Sequence, residues 1–159
     1  MKLPSSVGEK PRKLALELPA VHSAVRQARN VVRSFSRMCG LPDREVETLM
    51  LVASELLSNA VDHGGGGSAM DEDALQGDVR MCLRLEFVGA SWSLEVDDQG
   101  EGDPAEVQEL LAPDGFPDLE DERGRGFFLM AQMVDSMDVR RSADGRGLTI
   151  TAAHAFAVA

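Results

Sequence analysis

The sequence predicts an α/β fold, a two-layer sandwich with a mixed, mostly antiparallel sheet and helices on one face. Three observations predict it. Read along the chain, the elements run strand, helix, helix, hairpin, helix, hairpin, so strands neighbour one another through short turns. The helical segments carry apolar residues at helical spacing along one stripe. The strand segments alternate apolar and polar residues, which marks a sheet with one covered face.

Each element has its own signal. Residues 1–11 form a polar, flexible N-terminal tail, and 12–159 form one domain. Arg12–Leu18 sets Leu14, Leu16 and Leu18 against polar neighbours and reads as a strand. Val21–Cys39 is an amphipathic helix stopped by Gly40. Arg26, Arg29, Arg33 and Arg37 recur along it every three or four residues and mark an exposed face, either solvated or available to a partner. Pro42-Asp43 opens a second helix, whose apolar stripe includes Val46, Leu49, Met50, Ala53, Leu56, Leu57 and Ala60. Gly64–Gly77 is an acidic, glycine-rich connection with no fixed conformation. Val79–Val88 and Trp92–Val96 form a hairpin across Gly89-Ala90. Ala105–Leu111 is a short helix inside the proline-bearing, acidic segment Asp103–Glu122. A glycine-opened helix then runs to Met137. Strands near Val139–Arg141 and Leu148–Phe156, joined at Asp144-Gly145, complete the chain.

Three polar groupings stand out from this framework. Glu55, Asn59 and His63 are spaced by four, so they share one face of the second helix. That face is either a solvated stripe or the border of a cavity. A carboxylate beside an amide oxygen suits a magnesium–phosphate site, since the amide oxygen is a hard neutral ligand and the carboxylate accepts a proton. In the second grouping, Trp92, Leu94 and Val96 lie on one side of their strand, and the alternation carries Asp98 to that inward side. A buried carboxylate needs a donor, and Gly100 and Gly102 leave room for a ligand's approach; an ordinary acidic turn is the plainer reading. In the third, Arg123-Gly124-Arg125-Gly126 precedes Phe127, Phe128, Met130, Ala131 and Val134. It reads either as a loop before a core helix or as a helix start offering N–H groups and positive charge to phosphate.

Composition removes several classes. At 159 residues and 43% hydrophobic content the chain is globular. A net charge of −11 argues against direct nucleic-acid binding. No apolar run reaches membrane-spanning length and no signal peptide is evident, so the expected location is cytoplasmic. Cys39 and Cys82 have no paired spacing and read as reduced thiols.

Taken in order, the three groupings resemble the N, G1 and G2 boxes of the ATPase superfamily that includes gyrase, the heat-shock chaperone ATPase, histidine kinases and the mismatch-repair ATPase. Within it, the chain most resembles the stand-alone bacterial anti-sigma-factor serine/threonine kinases, over roughly Lys13 to Phe156. The resemblance implies a histidine-kinase-like ATPase fold that binds ATP or ADP with Mg2+. It implies Asn59 as the magnesium ligand and Glu55 as the general base. It implies Asp98 as the acceptor for the adenine amino group, with Gly100 and Gly102 near base and ribose. Gly124, Arg125 and Gly126 would close over the phosphates, Thr149 would fix an adenine-side water, and His63 follows the first box with a capping role equally open. Asp103–Glu122 would be the lid. The implied partners are a sigma factor and a serine-bearing anti-anti-sigma protein, with a homodimer as a further arrangement. A non-catalytic ATP-dependent binding module and a simple ATPase or histidine-kinase-type catalytic domain are the alternatives. Asp97 before Asp98 and the long glycine-rich loop depart from the pattern.

Overall fold

The computed structural model describes residues 10–111 and 120–157. β1 (Arg12–Pro19) leads into α1 (His22–Met38) and α2 (Asp43–Asp62). A short 3-10 turn precedes the hairpin β2 (Arg80–Val88) and β3 (Ser91–Asp97). Then follow α3 (Pro104–Leu111), α4 (Glu122–Met133), β4 (Ser136–Arg141) and β5 (Leu148–Ala155). The five strands lie in the order β1-β2-β3-β5-β4, and every pairing is antiparallel. The N-terminal tail and the middle of the expected lid, residues 1–9 and 112–119, lie outside the described residues.

The alternation read from the sequence places the core. Met81, Leu83, Leu85 and Phe87 of β2 and Trp92, Leu94 and Val96 of β3 are buried against the helices. α2 covers them with Leu49, Ala53, Leu56, Leu57 and Ala60, all 1% exposed or less. The opposite face carries charge. Arg84 donates to Glu95 at 2.9 Å and to Asp97 at 2.7 Å, and Arg140 reaches Glu95 at 3.3 Å. Partial burial is the largest single influence on the Asp97 and Glu95 carboxyls and pushes both upward, but the hydrogen bonds and charges of Arg84 and Arg140, joined at Asp97 by the Thr149 hydroxyl, together outweigh it and hold both below the usual range. Cys39 and Cys82 are unpaired thiols, both pushed up chiefly by burial. No helix among the described residues is long and apolar enough to cross a membrane.

The third long helix ends earlier than its pattern suggests. α4 stops at Met133, and Met137 is a β4 residue paired with Ala152. Asp135 makes the break. Its N–H donates to Ala153 O, and its carboxylate accepts from Ala155 N at 2.6 Å, which turns the chain into the sheet.

α2 is fixed at its start by a buried polar contact. Trp92 Nε1 donates to Glu45 Oε1 at 2.8 Å, with Glu45 only 6% exposed. His154 Nε2 lies 3.4 Å from the same oxygen. Glu45→Ala should lower the free energy of unfolding by about 1–3 kcal/mol, because the indole N–H is left without an acceptor. Glu45→Gln should retain most of that stability, with both read from urea unfolding curves.

Candidate functional site

The site is built where the C-terminal half of α2 meets the start of α4. Packing of Leu56, Leu57, Ala60 and Val61 fixes the rotation of α2. That rotation turns Glu55 to solvent and leaves Asn59 half-buried one turn later. His63 is the C-terminal capping residue of α2, exposed at the edge of the cleft, and its N–H donates to Asn59 O. α4 supplies the facing wall. A methyl group added at Gly126 would stand 2.9 Å from Glu55 Oε2, so the glycine lets the carboxylate lie against the helix backbone. Arg123 Nε donates to Asn59 Oδ1 at 2.9 Å, and its guanidinium sits 5.7 Å from the centre of the Phe127 ring. Burial lowers the Arg123 pKa, opposed by the charges of Asp98, Asp121 and Glu106. The cleft encloses about 110 Å³.

Asp98 lies inward beyond the end of β3, 7% exposed, as the alternation requires. One of its oxygens is saturated by backbone: Oδ1 accepts from Gly100 N and from Leu148 N, each at 3.0 Å. Oδ2 accepts from no described residue. Glycines surround the group. A methyl at Gly64 would fall 2.5 Å from Asp98 Cβ, and Gly147, at φ +78°, packs directly on the Asp98 carbonyl. Burial raises the Asp98 pKa; the two backbone donors and Arg123 oppose the rise, and Asp97 adds to it.

The structure brings Glu55, Asn59, His63 and Gly126 to one cleft and gathers Asp98 with Gly100. Gly102 packs on Leu148, whose Cδ1 would lie 3.0 Å from an added methyl; Gly124, inside α4, would meet only ordinary contacts at 3.6 Å. Three placements differ from the pattern read along the chain. The arginine in the cleft is Arg123; the Arg125 side chain is exposed and is not part of its wall. Thr149 pairs across from Asp97, and its hydroxyl donates to that carboxylate at 2.6 Å, while the backbone N–H of Leu148 donates to Asp98. The glycines do not open the helix. α4 begins at Glu122, capped by Asp121, whose carboxylate accepts from Arg123 N at 3.0 Å. Gly64 and Gly147 were not singled out for these roles in the sequence, and Arg123 was read only jointly with Arg125, as positive charge for phosphate.

A family model described as "Histidine kinase-like ATPase domain" matches residues 18–152. Among solved structures, the chain is similar to the RsbU and RsbW domains of Rv1364c from Mycobacterium tuberculosis, with 20% identity and a TM-score of 0.55 over 91% of this chain and 32% of that one. The chain thus spans about a third of that protein's length. It is also similar to a chain of the SiaB-SiaC complex from Pseudomonas aeruginosa, with 13% identity and a TM-score of 0.62 over 88% of this chain and 89% of that one. No curated protein matches the sequence. These structural likenesses support the fold.

Asp98 gives a stability prediction with a definite sign. Its folded pKa is raised, so its stabilising form is the protonated one, present at low pH and lost as pH rises through the folded pKa. Asp98→Asn keeps an oxygen for Gly100 N and Leu148 N while removing the buried charge. The variant should melt above the wild type at pH 7, and the gap should narrow as pH falls toward 4. Thermal unfolding across that range checks it.

Proposed function

Because the chain belongs to the histidine kinase-like ATPase domain family, we propose that residues 12–159 form one ATP-binding regulatory domain that transfers phosphate to a serine of a partner protein. The observation that carries the reading is the exposed Glu55 carboxylate, one turn from Asn59, in a cleft whose other wall is the bare backbone at Gly126. Asp98 Oδ2 accepts from the adenine amino group at the buried end. Gly100 and Gly102 lie near base and ribose, and Gly124 and Gly126 lie near the phosphates.

The donor set fits magnesium in its usual substrate-shared form. The described residues hold no cluster of three carboxylate, histidine or cysteine groups, while Asn59 offers one hard neutral oxygen. Magnesium characteristically takes one or two protein oxygens and completes its shell with phosphates and water. Bound there, it would neutralise charge on the phosphates. In the transfer, Glu55 takes the serine hydroxyl proton as that oxygen bonds to the γ-phosphorus. The bond to the bridging oxygen of the leaving ADP breaks in the same displacement.

Two features support protein partners. The likeness to a chain of the SiaB-SiaC complex supports a partnered role. α1 carries Arg26, Arg29, Arg33 and Arg37, and no described carboxylate lies within ion-pairing distance of any of them. In a chain of net charge −11, that stripe is a basic surface for an acidic client, such as a sigma factor or an anti-anti-sigma protein.

Glu55→Ala should leave ATP affinity nearly unchanged and slow phosphoryl transfer by roughly 100- to 10,000-fold. Labelled ATP and a panel of serine-bearing anti-anti-sigma proteins provide the assay; transfer at the wild-type rate would sink the base assignment. Client affinity should also differ between the ATP and ADP states, and the client should shift nucleotide affinity by the same factor. Titrations of each client with each nucleotide check this, and identical affinities would remove nucleotide control.

A further inference from the structure

The bond between Arg123 and Asn59 has no place in the reading above. Asn59 Oδ1 is the oxygen on which the magnesium assignment rests, and a guanidinium already holds it at 2.9 Å. A guanidinium has five N–H donors in a planar fork. Among the described residues, Asn59 is the only side chain that accepts from this one, and no carboxylate lies within 4.0 Å. The remaining donors belong to a half-buried cation on the wall of the cleft, beside Glu55 and Gly126. A partly desolvated guanidinium that leaves most of its donors unused is suited to an anion, and its fork matches phosphate oxygens. The aromatic face of Phe127 and the backbone bond from Arg123 N to Asp121 hold the side chain over the cleft.

We propose that Arg123 is a built-in cation that competes with magnesium for Asn59 and pairs with the nucleotide phosphates when metal is absent. This rests on the nucleotide reading of the cleft. Without metal, the guanidinium on Asn59 supplies the positive charge that the phosphates meet. With metal, the ion takes the amide oxygen, and Arg123 must give up its hydrogen bond there. Arg123 therefore makes nucleotide binding less dependent on magnesium than a bare Asn59 site would be.

The test is the ratio of ADP dissociation constants measured by calorimetry in excess EDTA and in saturating Mg2+. In Arg123→Met, which keeps a long unbranched side chain without charge, metal-free affinity should fall while magnesium-bound affinity holds or improves. The ratio should rise about tenfold over the wild type. Arg123→Lys keeps a charge without the fork, so its ratio should fall between the two. A purely structural arginine would weaken both conditions together and leave the ratio unchanged; that outcome overturns the proposal and spares the nucleotide site. Absence of ADP binding by wild type and both variants at every magnesium concentration overturns the proposal and the nucleotide reading together.

Discussion

A carboxylate held against the inner side of a sheet must find donors or give up its charge, and Asp98 finds them in backbone. Leu148 N and Gly100 N both donate to one oxygen, so the end of β3, the turn after it and the start of β5 converge on a single atom. The convergence leaves no room for side chains. Gly64 at the end of α2 and Gly147 before β5 press against the same residue. Gln99 N donates to Gly64 O, which ties that helix end to the same turn. The cleft inherits its shape from this arrangement, because the C-terminal half of α2 is set by where Gly64 can sit.

The opposite end of α2 is fixed by a different buried carboxylate. Glu45 accepts from Trp92, on the sheet's inner face. α2 is therefore registered to β3 twice, at Trp92 near one end of the strand and at Asp98 just past the other. Between those points lie Glu55 and Asn59. Their positions follow from two anchors on a rigid helix, one a hydrogen bond at Glu45 and the other the close packing of Gly64 on Asp98, and a helix places a site more accurately than a loop does.

Much of this was legible in the sequence, for reasons of period. The alternation through Trp92, Leu94 and Val96 carried Asp98 inward, and spacing by four aligned Glu55 with Asn59. What the sequence left open depended on phase or on long-range pairing. Arg123 and Arg125 are two residues apart, so on a helix they point in widely different directions; which one enters the cleft depends on where the helix begins. Asp121 sets that start as cap, ahead of the glycines. Thr149 and Leu148 differ by one strand position, and one position exchanges the faces of a sheet. The close packing of Gly64 and Gly147 on Asp98 joins residues distant in sequence, and no local pattern encodes it. The early end of α4 likewise depends on Asp135 bonding to β5.

The outer side of the sheet limits where any protein could be layered on this fold. Arg84, Glu95, Asp97 and Arg140 interlock there through contacts of 2.7 to 3.3 Å, with Thr149 and Thr151 filling in between. A protein layered flat over that lattice would strip water from several ions at once, and the effective penalty is several kcal/mol per ion. Recognition is thereby steered toward the helical side and the rims of the sheet. That leaves the ionic lattice as a solvent-facing back wall of the fold.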